Sequence, residues 1–357
     1  MMPSAARTIG RTASRAIALA LIAAAAGCAT VPNGGAGAQR APLRDRAIRC
    51  LKAAVGYSAN PVVRVEGIEA LQSVPAEERL PWLRTGLSDE TPAVRFAACV
   101  ALGMLRDGGS LAGLRARCKD SDASVRLAAI FALHRLGSTD ESGRLADSVL
   151  EHKDIMVRRN AALLLGLTGE PGAVKVLAKA MRDTDPGVRQ HALEAMARLG
   201  NREASQELVF MTNSGSGTDE VFAVGALEAT GERRYVDAFR YKLANGPHLE
   251  TKLAAARALG RFGDAGGFSL ALQSLREGPA PSRDPNDPPE DQSLRIRQLA
   301  CAALGAMGKS DALETLDRTL SDSPDPRLQV SAAKAVLEIL HAHHAEVAAF
   351  APASGGK

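Results

Sequence analysis

The chain has 357 residues, of which 46 % are hydrophobic and 24 % charged, and this balance excludes wholesale disorder. Aromatic residues make up only 3 %, so Ala, Leu and Val must build most of the core, which favours closely packed helices over a β-sandwich or a β-barrel. The formal net charge is +4, and it falls to +1 when residues 1–27 are removed, because 41 basic and 40 acidic residues then remain. This near-neutral balance leaves no net electrostatic footprint for nucleic acid, and we predict no nucleic-acid partner.

The N-terminus has the pattern of an export signal. Three arginines precede an apolar run, 16–26, that is shorter than the roughly 20 residues of a membrane-spanning helix. The run ends in AAGC at Cys28 and resembles the lipobox of bacterial lipoproteins, which implies cleavage of 1–27 and lipidation of the Cys28 thiol. A plain signal peptide with Cys28 as a bystander is the alternative.

The residues after the cysteine favour attachment to an outer membrane. Residues 28–42 are rich in Gly and Ala and have no apolar periodicity, which is typical of a flexible tether. Ala29, which follows the cysteine, is not acidic, and in this the sequence resembles lipoproteins that are sorted to the outer membrane. We therefore expect a chain anchored there by lipid and facing the periplasm. Without the lipid it would be periplasmic or secreted. No second apolar run predicts a membrane span.

A repeat of about 31 residues, most visible as a recurring Val-Arg pair, fills the rest of the chain. Small or aliphatic residues recur three, six and seven positions after the arginine, which we call the anchor, and these spacings lie on one face of a helix. Nine units, numbered 1 to 9, follow this frame. Their anchor positions are Arg64, Arg95, Arg126, Arg158, Arg189, Glu220, Lys252, Arg297 and Gln329.

Each unit also carries signals for the ends of a first helix of about 14 residues. A residue four positions before the anchor is usually of the type that caps a helix N-terminus, and glycine often follows eleven positions after the anchor. A second amphipathic stretch then completes the unit. The predicted caps are Asn60, Thr91, Asp122, Asp154, Asp185, Ser216, His248, Ser293 and Asp325, and the glycines are Gly137, Gly169, Gly200, Gly231, Gly263 and Gly308.

This pattern resembles the HEAT-repeat family, in particular the short HEAT-like repeats of phycobilin lyases. The resemblance implies an all-α, right-handed α-solenoid of about nine two-helix repeats over 43–350, with an N-terminal capping helix, a loop insertion at 278–292 and a disordered tail at 351–357. It further implies that the second helices line a concave surface. The family includes scaffolds, adaptors and a few enzymes, so it does not by itself indicate a function.

The arginines of the anchor ladder allow two interpretations. They could form a charged ladder for an anionic ligand, or each could bridge to a capping carboxylate and hold neighbouring units together. The sequence favours the structural role, because each arginine lies one turn inside a helix that usually begins at an acid. The ladder comprises Arg64, Arg95, Arg126, Arg158, Arg189 and Arg297.

Metal and catalytic signatures are weak. The chain has no CxxC or CxxH spacing, and the cluster His341, His343 and His344 is more typical of a solvated helix face than of a metal site. We therefore predict no metal, no cofactor and no catalytic residues. Cys99 and Cys118 lie on the two helices of unit 2. They either form a disulfide or remain free thiols.

Two departures from the repeat are candidates for binding. The Pro-rich insertion 278–292 is either a docking element or a tolerated surface loop. In unit 6, Glu220 replaces the anchor arginine, seven of the twelve aromatic residues lie between 210 and 268, and the second helix is basic and aromatic. We predict a binding patch there, unless its aromatics only fill the core. Its members are Arg233, Arg234, Arg240, Tyr241 and Lys242.

These features favour a non-catalytic, lipid-anchored scaffold or adaptor that binds another protein of the bacterial cell envelope. An enzyme of the lyase or hydroxylase kind, built on the same repeats, is one alternative. A periplasmic module that binds a peptide or a glycan through the patch around Tyr241 is another.

Overall fold

The computed structural model describes residues 37–138, 141–279 and 287–350, with side chains for those between 41 and 341. These residues form eighteen α-helices. The first helices of units 1 to 9 are α2 (Pro61–Ala70), α4 (Pro92–Met104), α6 (Ala123–Arg135), α8 (Ile155–Thr168), α10 (Pro186–Arg198), α12 (Gly217–Ala229), α14 (Leu249–Arg261), α16 (Pro289–Met307) and α18 (Pro326–Phe350). The remaining helices are α1 (Gly37–Val55), α3 (Ala76–Gly86), α5 (Leu111–Arg117), α7 (Gly143–Glu151), α9 (Ala173–Ala180), α11 (Arg202–Met211), α13 (Val236–Asn245), α15 (Phe268–Glu277) and α17 (Leu313–Asp322).

The first helices begin and end largely where the sequence predicts. Asp122, Asp154 and Asp185 each accept a hydrogen bond from a backbone amide in the first turn of the following helix, which satisfies donors that would otherwise be free. At the other end, all six predicted glycines adopt a positive φ, a conformation that stops a helix without steric cost. This confirms the two-helix repeat.

The first helices form a continuous inner layer. Each packs against the first helix of the next unit, and residues on nearly all sides of α4, α6 and α8 are buried. The closest approaches use glycine eight positions after the anchor in units 2, 4, 7 and 8. A β-carbon at Gly166 would lie only 2.5 Å from the β-carbon of Ala195, and one at Gly103 would lie 2.7 Å from the α-carbon of Ala132.

The two ends of the solenoid meet. The last helix, α18, packs against both α2 and α1, and a salt bridge of 2.5 Å joins Arg46 of α1 to Asp317 of α17. Within the described residues, α18 is the last helix and no second helix of unit 9 follows it. The N-terminal helix α1 contacts the first helices of units 9 and 1, as a second helix does elsewhere, and so completes the ninth pair and closes a ring.

Closure decides which helices face outward. In a closed ring of two layers, the layer whose helices pack closely on one another lies inside, and here that is the layer of first helices. The second helices therefore form the outer layer, each with one exposed face. The expectation that they line a concave surface is wrong for this chain, because the ring places them on its convex side.

Two element boundaries differ from the expected ones. Helix α1 begins at Gly37, inside the stretch predicted to be a tether. Helix α16 begins at Pro289 rather than after Ser293, because the end of the insertion folds back on it: Asp287 accepts hydrogen bonds of 2.9 and 3.0 Å from Arg295.

Several predictions fall outside the described residues. They are the export signal, Cys28, most of the tether, residues 280–286 of the insertion and the C-terminal tail. Among the helices that are described, none combines the length and hydropathy needed to cross a bilayer.

Candidate functional site

The side chains of the predicted patch do not share one surface. Lys242 is only 4 % exposed, and its Nζ lies 3.6 Å from Oε1 of the buried Glu220. Thr251 of α14 donates a hydrogen bond of 2.9 Å to the other oxygen of Glu220. The glutamate that replaces the anchor arginine thus finds its own cation inside unit 6, and Lys242 takes part in the fold rather than in a binding surface.

Two of the three arginines of the patch are neutralised by nearby acids. Arg234 lies 2.6 Å from Glu232 and stacks over the Tyr235 ring, 5.0 Å from its centroid. Arg240 bridges Asp237 and Asp264 at 3.0 and 2.9 Å, and both carboxylates raise its pKa through hydrogen bonds.

The third arginine, Arg233, donates to the carbonyl of Phe262 at 3.4 Å and lies over that ring. Since all three guanidinium groups are engaged within the protein, the patch is not the basic surface that its sequence indicates.

The aromatics of this region divide into a buried set and an exposed set. Tyr235 and Phe239 are buried, and Phe239 stacks on Phe262, so they fill the core as the alternative interpretation expected. Tyr241 is 59 % exposed and Phe210 is 79 % exposed, the two most exposed large hydrophobic side chains of the described residues.

Phe210 was missed by the sequence analysis, although the repeat contains the signal. It stands 31 residues before Tyr241, so the two occupy the same position on the neighbouring outer helices α11 and α13. In the other units with a described side chain, this position is small or polar. Its occupants are Thr85, Ala116, Asp147, Lys179, Gln273 and Arg318.

The anchor arginines hold consecutive units together. Arg95 donates two hydrogen bonds, of 2.7 and 2.9 Å, to Asp120 at the start of unit 3, and two more to the carbonyls that precede its own helix. Arg158 repeats this pattern with Asp183, and Arg64 pairs with Asp89 at 2.9 Å.

In each case the acidic partner is not the capping residue but the carboxylate two residues before it, and Arg64 also donates a hydrogen bond of 2.9 Å to the hydroxyl of the cap Thr91. Asp120 and Asp183 also accept the backbone amide of the cap. The hydrogen bond from Arg158 lowers the pKa of Asp183. Arg126 and Arg189 donate to the preceding carbonyls alone, and the Nε of Arg297 is buried without a partner.

Besides the anchor arginines, the inner layer contains a group of buried polar side chains on α2, near the place where the ring closes. Glu66 accepts a hydrogen bond from Gln298 of α16 at 3.4 Å, and Glu69 is 8 % exposed with one oxygen that lacks a hydrogen-bond partner. Burial raises the pKa of Glu66 to about 7. Burial and the charge of Glu66 raise the pKa of Glu69 to about 8, against which Lys334 acts only weakly.

The cysteines and histidines give no metal centre in the described part of the chain, where no group of three potential ligands converges. Cys50, Cys99, Cys118 and Cys301 are free thiols, and burial raises the pKa of Cys50 to about 11. His343 and His344 lie in α18 beyond the described side chains.

The repeat frame and the paired helices agree with a comparison to protein families, in which the family of HEAT repeats matches residues 43–134 and 144–219. The chain therefore contains HEAT repeats. Its repeats extend through unit 9 in the structure, beyond the matched residues. None of the curated proteins matches this HEAT-repeat chain.

Solved structures with a similar course of helices include a hydroxylase, a phycocyanin lyase and Kap121p. Human deoxyhypusine hydroxylase is 15 % identical, covering 86 % of this chain and all of its own, with a TM-score of 0.37. The CpcE and CpcF complex of phycocyanin lyase from Nostoc is 19 % identical, covering 75 % of this chain and 93 % of that one, with a TM-score of 0.36.

Kap121p bound to Nup53p is 17 % identical, covering 87 % of this chain and 38 % of its own, with a TM-score of 0.34. Similarity at this level leaves open what this HEAT-repeat protein binds.

Proposed function

We propose that this HEAT-repeat protein is a non-catalytic scaffold or adaptor that binds another protein through its outer layer, at the face formed by Phe210 and Tyr241. The observation that carries the proposal is the exposure of these two side chains, 79 % and 59 %, at one repeat position of neighbouring outer helices. Aromatic side chains of this kind supply much of the binding energy at protein interfaces.

The ring closure supports an outer site. The inner helices are buried on nearly all sides, so a partner of protein size is left with the outer helices and the turns at either end of the ring. Among the outer helices, only α11 and α13 present an aromatic side chain that is more than half exposed within the described residues.

Charges beside the aromatic pair suggest the chemistry of the partner. Glu203 and Glu207 lie two turns and one turn, respectively, before Phe210 on the exposed face of α11, and neither forms an ion pair with a described residue. Arg234 and Arg240, beside Tyr241, are neutralised by acids of this chain. A partner that inserts apolar side chains flanked by Lys or Arg would match this face better than an acidic partner.

The location is part of the same proposal. The sequence that ends at Cys28 supports a lipid anchor in the cell envelope, at the outer membrane and facing the periplasm. Cys28 would then stand nine residues before Gly37, the first residue of α1, and this short tether would hold the ring close to the membrane surface.

The test is an affinity capture from solubilised envelope with four forms of the mature chain, the bound proteins being identified by mass spectrometry. We expect the wild type and Cys28→Ser to retain the same protein, because the lipid determines only where the protein is located and not what it binds. The double variant F210S/Y241S is expected to lose it. Tyr57→Ser, which removes an exposed aromatic from unit 1, is the matched control and is expected to retain it.

Retention of the same protein by F210S/Y241S would exclude this face. Failure of the wild type to retain any protein above background would remove the support for a scaffold. The alternative of a glycan- or peptide-binding module would then be tested by screening soluble glycans and peptides against the same variants.

A further inference from the structure

Three consecutive outer helices, α1, α3 and α5, are joined side by side. Glu78 of α3 accepts a hydrogen bond of 2.9 Å from Arg44 of α1 and lies 3.6 Å from Nζ of Lys52. Arg84 of α3 donates hydrogen bonds of 2.7 and 2.8 Å to Asp107, in the turn before α5. The exposed sides of the three helices therefore form one surface on the outside of the ring, which we call the N-terminal face. Its exposed members include Arg49, Trp82, Leu111, Arg115 and Lys119.

The N-terminal face carries two exposed apolar side chains. Trp82 of α3 and Leu111 of α5 are each 36 % exposed, and Trp82 is the only tryptophan of the chain. Tryptophan is enriched where a membrane meets water, because its ring is apolar and its N–H can donate a hydrogen bond to the headgroups. This face therefore has an aromatic side chain of the kind that inserts at the depth of the headgroups.

The charges around these apolar side chains are mainly positive. Leu111, Arg115 and Lys119 are four residues apart, so they follow one side of α5 and the turn after it. Arg115, Lys119 and Arg49 of α1 are exposed and form no ion pair with a described residue. Glu77 is the corresponding exposed and unpaired acid of α3. Three unpaired cations thus face solvent against one unpaired acid.

Arg115 is unpaired because the partner that the repeat supplies elsewhere is missing. Arg84 stands twenty residues after the anchor of unit 1 and pairs with Asp107, which stands twelve residues after the next anchor. Arg240 repeats this pairing in unit 6. Arg115 has the same position in unit 2, but Ser138 occupies the place of the acid. Unit 2 therefore keeps the arginine without its carboxylate, which leaves the charge for an anion outside the chain.

We propose that the N-terminal face lies against a membrane surface that contains anionic phospholipids, with Trp82 at the depth of the headgroups. This inference rests on the membrane location in the proposed function. The predicted lipid attachment at Cys28 is nine residues before α1, so the anchor would reach the ring at this same face. Unpaired Lys and Arg side chains are attracted to anionic headgroups, and the exposed apolar side chains add burial in the interface.

This orientation leaves the Phe210 and Tyr241 face free for a partner. That face belongs to units 5 and 6, which lie four units away from units 1 and 2 in a ring of nine. The two faces therefore lie nearly on opposite sides of the ring. With the N-terminal face on the membrane, the other face points away from it.

The test uses the fluorescence of Trp82, which reports this face alone because the chain has no other tryptophan. The purified mature chain is held on vesicles by an N-terminal histidine tag and a nickel-chelating lipid, so the result does not depend on lipidation of Cys28. The vesicles contain phosphatidylethanolamine and phosphatidylglycerol, with or without bromine on the acyl chains near the headgroups. We expect the bromine to quench Trp82 and the emission to shift to shorter wavelength, and salt to weaken both effects.

A matched pair of double variants tests the charges. R115Q/K119Q removes two cations from the N-terminal face and is expected to weaken docking about fivefold for each charge removed, so that quenching falls although the tag still holds the protein. K175Q/K179Q removes two exposed lysines at the same spacing from α9, which has no exposed large hydrophobic side chain. It is expected to dock like the wild type.

Three results would overturn the proposal. They are a wild-type Trp82 that bromine does not quench, equal losses in R115Q/K119Q and K175Q/K179Q, and equal quenching on vesicles of phosphatidylcholine alone. The first result would leave the N-terminal face to a protein partner.

The docking test and the capture test fail separately. F210S/Y241S is expected to dock on vesicles like the wild type, because its substitutions lie on the opposite side of the ring. Lost docking with intact capture of the partner would remove this inference alone. Lost capture with intact docking would remove the proposed scaffold alone.

Discussion

The inner wall of the ring has two arcs that use different chemistry for the same packing task. Residues two, five and nine positions after the anchor form a stripe on the side of each inner helix that faces away from the outer layer. In units 2 to 4 this stripe is mainly apolar, with Val100, Phe131 and Leu163 buried. In units 5, 7, 9 and 1 it carries charges, among them Glu194, Arg257, Lys334 and Glu69.

The charged arc is arranged so that its charges meet. Units 6 and 8, between the charged units, have small residues on the stripe, such as Gly225 and Ala302. Arg261 of unit 7 therefore reaches Glu338 of unit 9 at 3.8 Å, past unit 8. One repeat frame thus accepts either apolar contacts or ion pairs inside a ring, provided that small neighbours leave room for the longer side chains.

The largest effect is expected in the apolar arc. Phe131 is fully buried, so Phe131→Ala should lower the free energy of unfolding by about 3–5 kcal/mol, through lost burial and the cavity left behind. Denaturant titration measures this. Phe210→Ala is the matched control, since Phe210 is exposed, and it should change stability little. Similar costs for the two variants would contradict the packing described here.

The charged arc is expected to respond to pH where the apolar arc does not. The pKa of Glu69 is about 8 in the folded protein against an ordinary value of 4.5, so between these values the folded state binds more protons than the unfolded state. The free energy of unfolding should therefore fall as the pH rises from about 5 to about 8 and then level off, on a scale of about 1.4 kcal/mol per unit of pKa difference.

Glu69→Gln should remove part of this slope and stabilise the protein above pH 8, because a neutral amide replaces a buried charge. Denaturant titrations at several pH values test it, with Glu77→Gln, an exposed glutamate, as the control that should leave the slope unchanged. A slope that Glu69→Gln does not alter would assign the effect to other groups, such as Glu66.

Close approach between inner helices is expected to depend on single glycines in both arcs. Alanine at 166 would bring its β-carbon to 2.5 Å from that of Ala195, so Gly166→Ala should cost about 1–3 kcal/mol despite the higher helix propensity of alanine. Gly143→Ala in the outer helix α7 meets nothing within 4 Å and should be neutral or stabilising by up to about 1 kcal/mol. Thermal or denaturant unfolding of the two variants measures the change in stability that each one causes.

The sequence predicts the repeated helices better than it predicts how they are joined into a ring. Caps such as Asp122 and stops such as Gly169 act locally, so the spacing that encodes them is visible along the chain. Closure depends on α1 serving as the missing helix of unit 9, and no periodicity links residues that far apart. Because the ring closes, the second helices, which were predicted to line a concave surface, lie on its outer side.

The candidate patch failed for a different reason. Basic residues next to Tyr241 suggested a surface, but the repeat position of Lys242 is occupied by the buried Gly86, Ala180 and Ser274 in other units. Reading that position across units would have placed Lys242 inside. Reading the position of Tyr241 in the same way would have found Phe210. Pairing of Arg240 with Asp264 depends on the distance between neighbouring outer elements, which a single sequence does not encode.

The smallest effect is expected at the salt bridge that spans the closure. Arg46 and Asp317 are separated by 271 residues in sequence and meet at 2.5 Å, yet both side chains remain substantially exposed. Exposed pairs contribute little, so Arg46→Ala should lower the free energy of unfolding by at most about 0.5 kcal/mol. Leu51→Ala, at a fully buried position of the same helix α1, should cost about 2–5 kcal/mol. Denaturant titration of both variants would then show that the ring is closed by apolar burial on α1, and a larger loss from Arg46→Ala than from Leu51→Ala would show instead that the ion pair holds the ends together.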